Sequence, residues 1–218
     1  MRVSGGLTLN NPPSKNQIGG TVLEIKYKNI ILRDMVESDI DDEIRWWTVD
    51  TDWGDWDAPW EPLTPIDPVQ HRQKLLDKIT QPKHGHRWSM EIATADGVHI
   101  GKTNSYLIDE RYDWISLLDV APGQQVFHTL GIDLMEKAFW GSGLGTQALA
   151  AFILHHLDHG HRDLCLQTWS GNVRMVRCAE KLGFVECHRE VGNREVRGKT
   201  YDGLTFRLDV QRFLEENS

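Results

Sequence analysis

Three closely spaced glycines constrain this chain more than any other feature of its sequence. They lie in FWGSGLGT, from Phe139 to Thr146, between a segment with strand character and an amphipathic helical pattern. Glycine lets a backbone turn sharply and approach a ligand without a Cβ in the way, and the first amides of a helix carry partial positive charge. This glycine loop therefore predicts a strand, a turn that can cradle a phosphate group, and a helix. A tight turn without any ligand would use similar residues.

Two common nucleotide-binding motifs fit the glycine loop poorly. A P-loop ends in Gly-Lys followed by Ser or Thr, whereas Gly145 is followed by Thr146 and Gln147. A dinucleotide fingerprint reads GxGxxG and has an acidic residue about 20 positions further on, at the end of the next strand. Here the spacing is GxGxG, and Asp163 precedes that strand. We expect neither type of site.

A longer pattern surrounds the glycine loop. WGSGLGTQALAAFILHHL is followed by LCLQTWSGNVRMVRCAEKLGF, which predicts a helix, a strand and a second helix led by Asn172. This order resembles the acetyl-CoA site of the GNAT superfamily of N-acetyltransferases. Trp140 stands where that motif usually has Gln or Arg, as in the branch that acetylates ribosomal-protein N-termini, and ILRDMVESDIDDEIRWW resembles that branch's first strand and helix. The resemblance implies an α/β (α+β) fold with a central mixed, mostly antiparallel twisted sheet flanked by helices.

The same resemblance implies acetyl-CoA as the acetyl donor. Amides of the glycine loop would bind its pyrophosphate, the backbone just ahead of the loop would pair with the pantetheine arm like an added strand, and the asparagine would lie beside that arm. The cofactor-binding residues expected on this basis are Met135, Glu136, Lys137, Trp140, Gly141, Ser142, Gly143, Leu144, Gly145, Thr146 and Asn172.

The acetyl acceptor must be a neutral amine, so a base or a water path has to take the proton of an ammonium group. We predict Asp133 in GIDLMEK for this role, because strand alternation puts it on the face of Gly131 and Met135. Some aminoglycoside 6′-N-acetyltransferases show a similar GID ahead of the loop. Glu136 and His128 are alternatives, and so is a solvated carboxylate at the strand end without a catalytic role.

The acid that would protonate the leaving thiolate is missing from its usual place. Many GNAT enzymes carry a tyrosine seven residues after the asparagine, and this position is Ala179 here. Cys178 or a water molecule would have to substitute, or nothing does. In the last case the alternative is a domain that binds acetyl-CoA as a sensor without turning it over.

The stretch WWTVDTDWGDWDAPWE, from Trp46 to Glu61, holds five of the nine tryptophans and five carboxylates, with no Lys or Arg. In this tryptophan stretch the rings either pack inward or form a surface for cations. In the resembled superfamily the connection between the first two helices forms a wall of the acceptor pocket. We therefore predict a small-molecule amine, a polyamine or an aminoglycoside, with a peptide α-amine as the alternative. The predicted substrate-binding residues are Trp53, Asp55, Trp56 and Asp57.

The composition of the chain limits the kinds of partner that it is expected to bind. A formal charge of -8 argues against binding to nucleic acid or to anionic membranes, and no apolar run approaches the roughly 20 residues needed to span a bilayer. Three cysteines without CxxC spacing point to reduced thiols in a cytoplasmic protein. HHLDHGH is interpreted as a helix end, so no metal is expected. Pairing of edge strands into a homodimer is common among similar proteins.

The chain divides into a flexible arm over residues 1–20, which is rich in Gly, Asn, Pro and Ser, and a single N-acetyltransferase domain over residues 21–218. EIKYKNIILRDM predicts a hairpin, SDIDDEIRWW and VQHRQKLLDKIT predict helices, and WSMEIATADGVHIGKTNSYLI predicts two strands joined by a turn. WISLLDV and HTLGIDLM are expected to be strand. GLTFRLDV is predicted as a late strand that follows a charged turn region.

Overall fold

A computed structural model of the chain describes residues 22–217. The arm predicted over residues 1–20 lies outside the described residues. The strands are β1 (Glu24–Tyr27), β2 (Ile30–Arg33), β3 (Ser89–Thr94), β4 (His99–Ile108), β5 (Trp114–Ile115), β6 (Phe127–Leu134), β7 (Leu164–Trp169), β8 (Phe184–Val196) and β9 (Lys199–Leu208). The helices are α1 (Ile40–Thr48), α2 (Pro68–Thr80), α3 (Leu144–Asp158), α4 (Val173–Lys181) and α5 (Val210–Asn217).

One sheet contains all of these strands, in the order β1-β2-β3-β4-β6-β7-β9-β8, with β5 paired beside β4. Every pairing is antiparallel except that of β6 with β7. A parallel pair needs a crossover connection, and α3 provides it. The predicted mixed, mostly antiparallel sheet flanked by helices is therefore confirmed.

The main core lies between α3 and the sheet. Leu149, Phe152 and Ile153 on α3 are fully buried, as the helical stripe in the sequence predicts. They pack with strand residues such as Leu32 and Ile92. Replacing Phe152 by Ala would cost about 3–5 kcal/mol, because it would leave a cavity that the surrounding residues fill only in part. This packing fixes the start of α3, and so the glycine loop, at one end of the sheet.

Side-chain caps set the starts of two helices that matter for the site. The Asp67 carboxylate accepts from the amides of Val69 and Gln70 at the start of α2, and Pro68 occupies the first helical position. Asn172 caps α4, as its sequence position predicts. The tryptophan stretch consequently lies on the connection from α1 to α2.

Two elements were not expected from the sequence. The charged region after α4 forms β8, a 13-residue edge strand whose side chains are mostly exposed, so it lacks the apolar alternation that identifies a strand. The chain then closes with the short helix α5, which is anchored by the fully buried Phe213. WISLLDV is strand only in β5, because its next residues form a 3-10 turn at Leu117–Asp119.

No helix in the described range 22–217 has both the length and the apolar character needed to cross a bilayer.

Candidate active site

The cavity of interest lies where β6 and β7 separate. The two strands pair only at His128 with Leu164 and at Thr129 with Cys165. Beyond this point the backbone groups of residues 130–134 that face away from β4 have no neighbouring strand in the described part of the chain. A cavity of about 350 Å³ occupies the gap. The glycine loop, α4 and the tryptophan stretch all contribute to its lining.

Gly141 and Gly143 shape the end of the cavity at the glycine loop. Their φ angles are +77° and +85°, which disfavour other residues, and a Cβ added to either would meet open space. Gly145 gives room to Leu134, whose Cδ1 would lie 3.1 Å from an added Cβ. Gly143 is the N-cap of α3, so the amides of Gly145 and Thr146 in the first turn have no partner within the helix. The loop thus offers backbone donors and partial positive charge to the cavity.

Three cations on α4 line the same cavity and were missed from the sequence. They are Arg174, Arg177 and Lys181, and their i, i+3, i+7 spacing places them on one helix face. In a chain with a formal charge of -8 they form a local positive wall beside the glycine loop, which suits a polyanionic ligand. The spacing is visible in NVRMVRCAEK, but an ordinary solvated helix face produces the same pattern.

Arg174 lies between the tryptophan stretch and the glycine loop. Its guanidinium carbon lies 3.9 Å from the ring centre of Trp56 and 4.5 Å from that of Trp140, a stacked arrangement that links the tryptophan stretch to the glycine loop. Asn172 adds a second tie, because its Nδ2 donates to the carbonyl of Trp56 at 2.8 Å while its Oδ1 accepts from the amide of Met175 at 3.2 Å. Asn172 therefore lies in the cavity wall with both polar atoms engaged inside the protein.

Met135, Glu136 and Lys137, ahead of the glycine loop, do not line the cavity. The amides of Met135 and Glu136 both donate to the carbonyl of Ile100, at 2.9 and 3.3 Å, so an added strand cannot use them. Lys137 is exposed and pairs at 2.7 Å with a carboxylate of the tryptophan stretch. The structure thus leaves Met135, Glu136 and Lys137, where pantetheine pairing was expected, outside the lining of the cavity, and the open edge of β6 lies at residues 130–134.

The other residues of the loop mainly build the loop itself. Trp140 lines the cavity, and its Nε1 donates to the carbonyl of Leu134 at 2.7 Å. The Ser142 hydroxyl donates to the carbonyl of Phe139. Leu144 packs against the main core. Ser142 and Leu144 thus do not line the cavity with their side chains.

Both interpretations of the tryptophan stretch are partly realised. Trp46 is 0% and Trp53 is 5% exposed, and the Trp53 Nε1 donates to the carbonyl of Trp46 at 2.9 Å, so these two rings pack inward. Trp53 and Trp56 line the cavity as well. The Trp169 Nε1 donates a hydrogen bond to the carbonyl of Trp56 at 3.0 Å. The stretch is therefore a fixed wall.

The five carboxylates of the stretch fall into two groups. Three are paired with cations elsewhere in the chain, namely Asp50 with Arg45, Asp52 with Lys137 and Asp55 with Arg197. The structure consequently does not bring Asp55 to the cavity, because its side chain is exposed and pairs at 2.6 Å with the turn between β8 and β9. Asp57 does line the cavity. Neither Asp57 nor Glu61 forms an ion pair within residues 22–217, so their charges remain available.

Asp133 lies in the cavity wall with its pKa raised to about 7, because burial disfavours its charge and Asp57 repels it. Lys102, its register partner on β4, opposes this shift but is itself bound to Glu43 at 3.0 Å. Asp57 is open to solvent, yet the cavity walls strip part of its hydration and Glu61 repels it, so its pKa is raised too. Two carboxylates that repel each other in this way attract a cation, and a carboxyl group with a pKa of about 7 has the property that a base needs at neutral pH.

The other groups considered for the base and for the acid are placed less favourably than Asp133. His128 lies at the opposite end of β6, and the Glu136 carboxylate accepts from the indole of Trp46 at 2.9 Å. Ala179 is fully buried in the core. Cys178 does line the cavity, with its sulfur 3.4 Å from the Thr146 hydroxyl, and burial raises the pKa of its thiol.

Comparison with protein families identifies one match, to the acetyltransferase (GNAT) domain over residues 29–185. A comparison with curated proteins finds no match. Among solved structures, a GNAT-family acetyltransferase from Bacillus anthracis has a TM-score of 0.61 at 10% identity and covers 85% of this chain and 98% of that chain.

Two further structures are similar over comparable lengths. Ribosomal L7/L12 α-N-protein acetyltransferase in complex with coenzyme A has a TM-score of 0.60 at 15% identity, covering 85% of this chain and 97% of that chain. Ribosomal-protein-alanine N-acetyltransferase from Brucella melitensis has a TM-score of 0.57 at 17% identity, covering 81% and 97%. At these identities the likeness shows a shared fold. Because the family model spans the region from β2 into β8, with the whole glycine loop and α4, the chain belongs to the acetyltransferase (GNAT) domain family.

Proposed function

We propose that this acyltransferase moves the acetyl group of acetyl-CoA to a primary amine of a small molecule that carries several ammonium groups, as an aminoglycoside does. One observation carries the proposal. Asp57 and Asp133 repel each other in the same cavity that the glycine loop and the α4 cations also line. The cavity therefore offers positive charge and backbone donors to anionic groups, and carboxylates to cationic groups.

The end at the glycine loop fits acetyl-CoA, the donor used in this family. Gly141 and Gly143 leave open space where a side chain would stand, and the first turn of α3 supplies free amides for a diphosphate. The positive wall on α4 complements phosphate charge. The open edge of residues 130–134 offers backbone partners to the amides of a pantetheine arm. The bound donor would supply an acetyl group activated as a thioester.

Within the same cavity, we assign Asp133 to take the proton from the acceptor ammonium. A base works best when its pKa lies near the operating pH, and burial together with Asp57 raises the pKa of Asp133 to about 7. An ammonium group placed between the two carboxylates would relieve their repulsion. Much of the rate would come from holding the amine and the thioester together.

Carboxylates rather than indole faces are assigned the recognition of the acceptor. The rings of Trp56 and Trp60 already carry arginines, with Arg174 at 3.9 Å and Arg194 at 4.7 Å from the ring centres. Asp57 and Glu61 have no such internal partner among residues 22–217. An acceptor with two or more ammonium groups would pair them with Asp57 and Glu61, and a further amine in its neutral form would still lie beside Asp133. This argument favours a polycation over a peptide that has only its α-amine.

The experiment is an acetylation panel of aminoglycosides, linear polyamines and peptides with free α-amines. Thiol release from acetyl-CoA and the mass of each product would be measured at equal acceptor concentrations. We expect kcat/KM to be highest for the multiply charged small molecules and to fall at high salt, because the recognition is electrostatic. Activity on peptides alone would refute the polycation assignment. Tight binding of acetyl-CoA with no acetylated product would favour the sensor alternative, which the absence of a tyrosine at Ala179 allows.

A further inference from the structure

Six of the ten histidines gather at the end of α3 that lies opposite the glycine loop. α3 has 15 residues, so this end lies about 22 Å from the loop at 1.5 Å per residue. The members of this histidine cluster, none of which lines the cavity, are His86, His128, His155, His156, His159 and His161.

Four of these rings lie close to one another, with ring centres 3.9 to 6.1 Å apart. They come from four separate parts of the chain: the loop before β3, the start of β6, the helix α3 and the loop before β7. The centre of the His86 ring lies 4.4 Å from that of His156, 4.7 Å from that of His161 and 6.1 Å from that of His128. The centre of the His128 ring lies 3.9 Å from that of His161 and 5.8 Å from that of His156. The centres of His156 and His161 are 5.9 Å apart. Imidazoles bound to a tetrahedral zinc ion at about 2.0–2.1 Å would have ring centres about 5 Å apart.

Three of the four rings have a buried nitrogen without a hydrogen-bond partner in the described structure. These atoms are Nε2 of His86, Nδ1 of His128 and Nε2 of His156. Each unsatisfied buried polar atom costs about 1–3 kcal/mol, and three in one cluster call for a common partner. His156 is 0% exposed, so bulk water does not satisfy its Nε2.

The tautomer of His156 is the one that metal ligands use. Its Nδ1 lies 3.0 Å from the carbonyl of Phe152, which can only accept, so Nδ1 carries the proton and Nε2 presents a lone pair to the cluster. A metal-bound histidine characteristically donates its other ring nitrogen to such a carbonyl. Burial lowers the pKa of all four rings, and neutral imidazole is the form that binds a metal. The neighbouring Arg87 is neutralised by Asp34 at 2.9 Å, which limits its repulsion of a cation.

We propose that His86, His128, His156 and His161 form a binding site for one zinc-class divalent transition-metal ion, which ties α3 to the start of β6 and the two flanking loops. In the arrangement described for residues 22–217, no three His, Cys, Asp or Glu side chains already converge as metal ligands. Binding therefore requires these side chains to shift as well as turn, because the ring centres of His128 and His161 are closer together than in a zinc site and those of His86 and His128 are farther apart. Four protein ligands leave no open position, so the site is structural rather than catalytic.

The test uses the full chain without a histidine tag and measures bound Zn²⁺ by equilibrium dialysis and metal analysis. We expect one Zn²⁺ per chain, with a rise in Tm on zinc addition that a chelator reverses. His128→Gln and His161→Gln should each weaken zinc binding at least tenfold, and the double variant should hold none. His84→Gln is the matched control, because His84 lies in the same loop as His86 but is exposed and outside the cluster; it should bind like the parent.

A Co²⁺ titration of the unaltered chain keeps the test valid if a variant folds poorly. Saturation at one Co²⁺ per chain, with the intense visible bands of a four-coordinate nitrogen site, would support the proposal. The proposal is overturned if the unaltered chain binds neither ion stoichiometrically, or if His84→Gln removes binding as effectively as the cluster variants. Neither outcome bears on acetyl transfer, because the cluster is remote from that cavity.

Discussion

Replacing Asp57 by Asn should move the pH profile of acetyl transfer to lower pH. Burial is the main cause that raises the pKa of Asp133 to about 7, and repulsion by Asp57 is the second. As the assigned base, Asp133 works only when deprotonated, so kcat/KM of the parent should rise with pH through about 7. Removing the repelling charge lowers the pKa of Asp133, because its ionised form becomes easier to reach.

The size of the effect follows from titration. At pH 6 a base with a pKa of about 7 is ionised in roughly one molecule in eleven. A neighbouring charge shifts a pKa by about one unit or more, and a drop of about one unit would ionise roughly half of the molecules at pH 6. The acidic limb of kcat/KM should therefore move by about one pH unit, which makes the activity at pH 6, relative to the plateau, about fivefold higher.

The assay is thiol release from acetyl-CoA with the best acceptor of the panel, from pH 5.5 to 8.5. The height of the profile should fall in Asp57→Asn, because an acceptor contact is lost, but only the position of the limb reports the pKa of Asp133. Asp55→Asn is the matched control, since this carboxylate pairs with Arg197 outside the cavity, and its limb should stay in place. A limb that does not move in Asp57→Asn, or that moves equally in Asp55→Asn, refutes the reasoning.

Three further predictions follow from the same structure. Gly143→Ala should lower the free energy of unfolding by about 1–2 kcal/mol, because this position has a left-handed backbone, and it should weaken acetyl-CoA binding in calorimetry. Gly97→Ala, at an equally left-handed position in a hairpin turn, should lower stability by a similar amount and leave binding intact. Equal losses of binding in the two variants would contradict the loop assignment. The double variant Arg177→Ala with Lys181→Ala should raise the Kd of acetyl-CoA about tenfold or more at low salt and reduce its salt dependence, and an unchanged salt slope would contradict the positive wall. Asp133→Asn should match the parent in urea unfolding near pH 4 and be more stable than the parent by up to a few kcal/mol above pH 7. The reason is that the raised pKa of Asp133 in the folded state makes the parent lose stability as the pH rises from about 4 through 7. A difference between the two proteins that does not grow with pH would contradict the raised pKa.

The features best predicted from the sequence are those set by local chemistry. The glycine loop and the start of α3 need backbone freedom that only a few residues allow, so three spaced glycines mark them. Asn172 is a cap residue placed before an amphipathic run, and it caps α4. The order of strands and helices around them follows from periodicity, and the family match over residues 29–185 agrees with it.

The features missed depend on contacts between distant segments. β8 is a strand because β9 pairs with it along its length, and an exposed edge strand carries no apolar alternation. Asp55 and Asp57 are two residues apart, yet only one reaches the cavity, because Arg197 on a remote turn holds the other. The amide of Met135 continues the pairing of β6 with β4, but the amide of Glu136 turns to the same Ile100 carbonyl, which ends the strand. The histidine cluster likewise forms from four separate segments, which no local spacing reveals.

The central claim is that one cavity between β6 and β7 holds the donor at the glycine loop and a polycationic acceptor at Asp57 and Asp133. A crystal structure of the chain with coenzyme A and the best acceptor from the panel tests it most directly. We expect the diphosphate against the amides of residues 141–146, the pantetheine arm along residues 130–134, and an acceptor amine beside the Asp133 carboxylate. Coenzyme A bound elsewhere, or an acceptor bound without contact to Asp57 and Asp133, would contradict the account.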